Sequence, residues 1–341
     1  MPRAAVIAVR LLLLAAPLAA QQPLAVRGAV VGESGDRVPY AVVALSPGFP
    51  QQFAAADGRF AFANLRPGSY RLVVRQVGYR PYDTTVTVHA LPVSLRVTLR
   101  RIAVPLPALA IGSDAPCLRP GVPDRDIDPA LADLFEQLRE NALRSRMLAE
   151  SYPHRYFVVR RLFHEMEDGT NRMRSSDTLE IESGDRWQYR PGKIVDWGRG
   201  RLSRVRVVHL PELPDLADSV FHRYHCFSAA GVDTVGGAPL IRLDFKAAAS
   251  LRSPDIDGSA WLDPVRYQLR RLRIELTRAE RAVEGVRTMS ATASFREELP
   301  YIVVVEQLLA LTIWAGPTGG VVGQSEEQQL VRVEFARRPG Q

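Results

Sequence analysis

Lysine is nearly absent from this chain: Lys193 and Lys246 are the only two in 341 residues. Arginine supplies the rest of the basic side chains, and Lys and Arg together number 44 against 37 acidic residues, a net charge of +7. The arginines are interspersed with Asp and Glu. Their densest groups are Arg199, Arg201, Arg204 and Arg206, and then Arg270, Arg271 and Arg273. A nucleic-acid footprint needs basic residues gathered on one face, so the pattern points away from nucleic acid and toward arginines on the solvent faces of strands. Cysteine is equally scarce, with Cys117 and Cys226 the only pair. In an exported protein an even pair predicts one disulfide, the alternative being two separate buried thiols. A bridge closing a loop of ~100 residues stabilises by about 4–5 kcal/mol in the chain-entropy model.

Long apolar runs are missing too. After the N-terminus no segment reaches ~18 uncharged apolar residues, the length of a membrane span. The closest, Tyr301 to Ala315, is interrupted by Glu306 and Gln307 and reads as a buried strand or strand pair. The first residues, MPRAAVIAVRLLLLAAPLAAQQ, carry Arg3 and Arg10 ahead of and within a short apolar stretch, with Ala19 and Ala20 before Gln21. That is the layout of a signal peptide, residues 1–20. Leu18 at the −3 position is less usual there than Ala, and no cysteine follows for a lipid anchor. The expected product is exported, in the periplasm or associated with the outer membrane, or secreted, with no transmembrane segment after signal cleavage. A hydrophobic fraction of 46% and a charged fraction of 24% are ordinary for a globular protein.

Residues 26 to 100 alternate with period two. VRGAVV, YAVVALS, RFAFANL, SYRLVVRQV, DTTVTVHA and SLRVTLRR are short strands. Turn chemistry separates them. Asp57-Gly58 is a tight-hairpin dipeptide, since Gly accepts positive φ without steric cost. Pro67-Gly68 fits the centre of a type II turn, and Gly78 precedes Tyr79. Short strands at such spacing predict a β-sandwich. A small domain has a modest core, so Val30, Val43, Phe60, Leu65, Tyr70, Leu72 and Val74 should pack densely.

These residues carry a family resemblance. Gly28 and Val30, Pro39 and Ala41, Asp57-Gly58-x-Phe60, Leu65, Pro67-Gly68-x-Tyr70 and Gly78-Tyr79 fall in register with the carboxypeptidase regulatory-like domain over about residues 24 to 100. The resemblance implies a transthyretin-type sandwich of seven or eight strands, grouped with starch-binding-like folds. It also implies a non-catalytic module of the kind found beside zinc carboxypeptidases and in bacterial envelope proteins.

A Pro-rich linker follows, residues 102–127 after a sandwich over 21–101, and a second domain spans 128–341. Asp128 is an N-cap with Pro129 at the first helical position, and Leu131, Leu134, Phe135, Leu138, Ala142 and Leu143 recur at helical spacing. From Tyr156 onward about eleven strands are predicted, among them RWQYR and VFHRYHCFSA, with one helical turn between Glu212 and Asp218. The economical arrangement is a large, curved antiparallel sheet covered on one face by the helix. His225 to Phe227, LIRLDF and DIDGSAWLDPVRYQLRRLRIELT resemble the C-terminal part of uncharacterised bacterial envelope proteins. The last of these is also similar to the strands of lipoprotein-carrier-like half-barrels. The expected fold class is mainly β.

Candidate chemistry is thin. A zinc carboxypeptidase needs a His-x-x-Glu pair, and His164-Glu165-Met166-Glu167 supplies the spacing. On a strand, however, residues i and i+3 point to opposite faces, and the β-rich remainder is too short for that enzyme. His222, His225 and Cys226 have metal-ligand chemistry, yet a structural zinc site wants four ligands. There is no Gly-x-Ser-x-Gly elbow or phosphate loop, and GPTGGVVG at 316–323 reads as a hairpin loop. Asp255, Asp257 and Asp263 would bind Ca²⁺ only if they converged. Trp187, Tyr189, Trp197 and Trp261, with Tyr267, are the candidates for a sugar-stacking platform, set against ordinary sheet packing. No catalytic residue, cofactor or metal is indicated. The expected function is a non-catalytic exported accessory protein whose C-terminal sheet holds an envelope protein or glycan. A carbohydrate-binding protein and an unrecognised hydrolase are the alternatives.

Overall fold

The structure is a computed structural model and describes residues 24–102, 115–166, 168–184, 187–197, 206–316 and 321–336. The signal-peptide residues and much of the Pro-rich segment lie outside this range. The chain forms two compact units. Of the described residues, one unit holds those up to Val74 together with Pro81–Leu99, and the other holds Arg75–Arg80 and those from Arg100 onward.

The first unit contains β1 (Val26–Gly32), β2 (Val42–Ser46), β3 (Gln52–Phe53), β4 (Arg59–Phe62), β5 (Gly68–Arg75), β6 (Tyr82–Val88) and β7 (Val93–Leu99). They make two sheets, ordered β4-β1-β7 and β3-β2-β5-β6. The alternation in sequence becomes alternation in burial: β4 and β7 read exposed-buried along their length. All seven predicted core residues, Val30, Val43, Phe60, Leu65, Tyr70, Leu72 and Val74, are buried.

Asp57-Gly58 does not close a hairpin between paired strands. Gly58 has φ +76°, but β3 pairs with β2 and β4 pairs with β1, so the turn carries the chain from one sheet to the other. Local turn chemistry set the reversal while burial of both sheets chose the partners. Gly68 opens β5 with φ +159°, well away from the ~+80° of a type II turn.

The second unit contains α1 (Pro129–Ser151), β8 (His154–Glu165), β9 (Asn171–Glu182), β10 (Val195–Trp197), β11 (Arg206–Val208), α2 (Leu213–Leu216) and α3 (Ser219–Arg223). Then follow β12 (His225–Val235), β13 (Ala238–Ala247), β14 (Asp255–Leu262), β15 (Leu269–Thr277), α4 (Ala279–Ala282), β16 (Val286–Leu299), β17 (Ile302–Ala315) and β18 (Val321–Phe335). Nine strands form one antiparallel sheet in the order β12-β13-β14-β15-β16-β17-β18-β8-β9. It is not closed into a barrel. Register shifts interrupt β12, β14, β16, β18 and the β8–β9 pair, and each bulge adds local bend and twist.

Asp128 caps α1 as the sequence predicts, its carboxylate accepting from Leu131 N–H at 2.9 Å. Leu131, Leu134, Phe135, Leu138 and Ala142 are buried. Phe135 meets Phe227 of β12 and His222 of α3 edge-on, at centroid distances of 4.7 and 5.0 Å. Two strand predictions resolve differently. RWQYR forms no strand over its described residues, and VFHRYHCFSA begins as α3 because Asp218 accepts from Val220 N–H at 2.6 Å and starts a helical turn.

Gly78 belongs to the second unit, at φ +81°, where a Cβ would lie 2.9 Å from the Val265 carbonyl oxygen. Its N–H donates to Gln137 Oε1 at 2.6 Å.

Candidate functional site

The two faces of the nine-stranded sheet differ in chemistry. One register row runs Leu243, Ala260, Leu272, Ala293 from β13 to β16, and all four are buried. Its neighbour runs Phe245, Gly258, Ile274. A Cβ on Gly258 would sit 2.6 Å from the Phe245 ring and 2.3 Å from Arg273 O, so only glycine lets that ring lie flat across the strand.

The opposite face carries different rows. Arg242, Trp261, Arg271, Ser294, Gln307 and Gln329 stand side by side from β13 to β18. Beside them run Asp244, Ser259, Arg273, Thr292, Leu309, Glu327 and, on β8, Arg161. Strand alternation puts these polar rows on one surface. An open groove of about 760 Å³ lies here, lined among others by Arg161, Arg271, Ser294, Gln307, Leu309 and Gln329. Leu309 is 52% exposed, and Met173, across β8 and β9 from Phe163 on the same face, is 56% exposed. Within the groove Leu309 is joined by Val235, Ala238 and Leu240 among hydroxyls, amides and charges of both signs.

At the β13–β14 end this face is internally bonded. Asp244 Oδ1 accepts from Arg242 Nε at 2.8 Å and from Ser259 Oγ at 2.6 Å. Trp261 donates through Nε1 to Asp233 Oδ2 at 3.0 Å, and the Arg242 and Arg271 guanidinium carbons each lie 5.7 Å from its ring centroid. The indole is 8% exposed.

The other aromatic candidates lie elsewhere. Tyr189 is buried and donates its hydroxyl to Asp255 Oδ2 at 2.7 Å. Trp187 meets Tyr189 at 86° and stacks on His209 at 4° with centroids 4.6 Å apart. Trp187 and Tyr189 therefore share a neighbourhood but present no common plane, and Tyr267 is buried. The side chain of Trp197 lies outside the described residues, as does Glu167 of the His-x-x-Glu spacing.

Cys117 and Cys226 are joined in a disulfide across 109 residues. The bond pins the segment before α1 to the edge strand β12, where Ala249 N–H donates to Cys117 O at 2.9 Å and Gly121 N–H to His225 O at 3.1 Å. The two neighbouring histidines are engaged in the core. Burial pulls the His222 pKa down, so the ring is neutral, and its Nε2 donates to Leu216 O at 2.7 Å. His225 Nδ1 faces Phe221 O at 2.9 Å, and its Nε2 faces Ile256 O at 3.2 Å and Asp255 Oδ1 at 3.4 Å.

Burial shifts further groups in the second unit as well. Burial raises Asp215 to about 6, against the N–H groups of Glu212 and Tyr189 that bond it. Burial also raises Asp257, whose Oδ1 accepts from Ala247 N–H, and holds the Tyr189 phenol protonated well above its usual range. Asp255, Asp257 and Asp263 serve three separate ends, since Asp263 Oδ1 accepts from the N–H groups of Val265 and Arg266 in its own turn.

On α1 the sequence reading missed the polar side of the packing. Gln137, Asn141 and Arg144 are all buried. Asn141 donates to Tyr267 O at 2.8 Å, and the Arg144 guanidinium lies 4.4 Å from the Tyr301 ring centroid. Desolvation lowers Arg144 to about 10, still charged at neutral pH. Their i, i+4 and i+7 spacing from Gln137 was the available signal.

Residues 25–100 match the family model of the carboxypeptidase regulatory-like domain. The first unit is such a domain, and its two sheets are those of the sandwich. No curated protein matches the chain. Among solved structures, 3-chlorocatechol 1,2-dioxygenase from Rhodococcus opacus 1CP is 13% identical over 24% of this chain, with a TM-score of 0.20. The minor pilin of Streptococcus agalactiae is 18% identical over 27%, with a TM-score of 0.21. The chain spans 61% of the former and 49% of the latter. A putative outer membrane lipoprotein-sorting protein domain from Vibrio parahaemolyticus is 12% identical over 59% of this chain and 93% of its own length, with a TM-score of 0.32. Among the described residues no helix is long and apolar enough to cross a membrane.

Proposed function

We propose that the protein is an exported, non-catalytic accessory protein of the cell envelope, which holds a macromolecular partner on the polar face of its nine-stranded sheet. The observation that supports this most directly is the groove of about 760 Å³ with its ordered rows of hydroxyl, amide and charged side chains. Exposed Leu309, with Val235, Ala238 and Leu240 in the same groove, stands among polar side chains, the mixed composition of a protein interface. The groups with large pKa shifts, Asp215, Tyr189 and Arg144, meet core partners and do not line this groove. The regulatory-like domain acts as a spacer or docking unit.

The test is crosslinking in intact producing cells, followed by mass spectrometry of what the protein captures. Reproducible recovery of envelope proteins from the wild type, lost in Arg161→Glu with Leu309→Asp, supports the reading. Equal recovery from wild type and variant defeats it. No protein captured, with the purified protein retained on a polysaccharide matrix, replaces the protein partner by a glycan.

A further inference from the structure

The second unit holds another pocket, away from the polar groove and much smaller. It encloses about 60 Å³ between Tyr156 of β8, Ile181 of β9, Phe295 of β16, Val304 of β17 and Gln268, the residue before β15. Gln268 is fully buried, and neither its Oε1 nor its Nε2 has a hydrogen-bond partner. Buried polar side chains are paired in the great majority of cases. An amide with both ends unpaired, in a pocket whose wall carries Ser145, His154, Glu182, Ser183 and Glu212 beside its apolar side chains, marks a place for a ligand's own donor and acceptor.

The pocket is too small for a whole ligand. Ligand clefts usually run to ~300–1,000 Å³, and a water molecule takes ~30 Å³ of liquid volume. It has a larger neighbour, however. His154, Glu182 and Ser183 border both this pocket and an open cleft of about 660 Å³, whose other walls include Arg146, Glu150 and Glu334. The cleft therefore presents charges of both signs beside a small chamber of mixed lining that holds an unpaired amide.

We propose that the two together form a peptide-binding site, in which Gln268 receives the side-chain amide of a Gln or Asn residue and the outer cleft takes the flanking peptide. A primary amide is the group that donates to Oε1 and accepts from Nε2 at once, two bonds with one planar tip. The aliphatic stem of that side chain lies against Ile181, Phe295 and Val304. A leucine side chain fills the volume but leaves Gln268 unpaired, and a carboxylate has no hydrogen to donate to Gln268 Oε1 and would stand beside Glu182 and Glu212.

The test uses the full mature chain, isotopically labelled, titrated with the blocked tripeptides Ala-Gln-Ala, Ala-Leu-Ala and Ala-Glu-Ala and followed by NMR. Saturable binding of the Gln peptide is expected, with shifts in the Gln268 side-chain amide and about tenfold or greater weakening for the Leu and Glu peptides. Gln268→Leu should lose the preference while keeping or raising its melting temperature, since it removes an unpaired polar group. If that variant fails to fold, Ile181→Trp, which fills the pocket from the β9 side, takes its place. Equal binding of the three peptides, or undiminished binding by the variants, overturns the proposal. So does an absence of saturable binding together with water-to-amide Overhauser effects at Gln268, which would make the pocket a hydration site. None of these outcomes depends on the polar groove.

Discussion

The Tyr189 hydroxyl and the Asp255 carboxylate bond at 2.7 Å with Asp255 wholly buried and Tyr189 only 2% exposed. Tyr189 reaches this position from a stretch without ladder hydrogen bonds, so its own side chain ties that stretch to β14. Removing one partner of a buried polar group costs about 1–3 kcal/mol. Tyr189→Phe should lower the unfolding free energy by about that amount, measured by urea denaturation, with an unchanged slope. A loss below ~0.5 kcal/mol would mean that the other neighbours of the Asp255 carboxyl, Ile256 N–H and His225 Nε2, suffice without the phenol.

The disulfide closes a long loop, 109 residues from Cys117 to Cys226. Cys117→Ser with Cys226→Ser should reduce stability by up to about 4–5 kcal/mol, and reductant should lower the melting temperature of the wild type but not of the variant. Equal melting curves with and without reductant would show that the bridge does not form in the isolated protein.

Stability should carry the signature of Asp215 between pH 4 and 6. Burial raises its pKa to about 6 in the fold, against ~3.9 in the unfolded chain. The folded state then holds the extra proton in that window, so this contribution is present at about pH 4 and lost as pH rises through about 6. It amounts to at most on the order of 3 kcal/mol at about 1.4 kcal/mol per pKa unit. His222 works in the opposite sense, since a depressed folded pKa costs stability as pH falls below ~6.5. The informative measurement is the difference between wild type and Asp215→Asn across pH 4 to 7. The wild type should lose more on going from pH 4 to 6 than the variant does. Parallel curves would remove the shift.

Gly258→Ala tests the packing of Phe245. The added Cβ would meet Arg273 O and the Phe245 ring at 2.3 and 2.6 Å, and one of these is backbone. Overpacking of this kind costs about 1–3 kcal/mol. A melting temperature unchanged within error would show that β13 and β14 separate freely.

The polar face makes the opposite prediction. Arg161 and Leu309 are exposed on their strands, so Arg161→Glu with Leu309→Asp should change stability by no more than ~0.5 kcal/mol per site while abolishing partner capture. A variant that fails to fold would assign these side chains to the fold and not to binding.

Much of this protein was legible as pattern. Period-two alternation at Phe60, Leu72 and Val74 marked one face of each strand as buried, because strand geometry leaves no other choice. Asp128-Pro129 fixed where α1 begins, because the cap and the proline are satisfied by local backbone alone. Two cysteines in a chain read as exported were enough to predict the bridge. Each of these depends on interactions within a few residues or on composition.

What tertiary structure decided is partnership. Asp57-Gly58 turns the chain in either topology, and only the packing of two sheets sent β3 to β2 and β4 to β1. Gln137, Asn141 and Arg144 are polar positions of α1 that the apolar spacing does not mark, yet the fold set the Gly78 N–H, the Tyr267 carbonyl and the Tyr301 ring opposite them. Gln268 has no local signal at all. Its meaning arises because four strands distant in sequence enclose it and leave its amide without a partner. Periodicity encodes which face of an element is buried, whereas the chemistry of a site depends on what distant segments bring to that face.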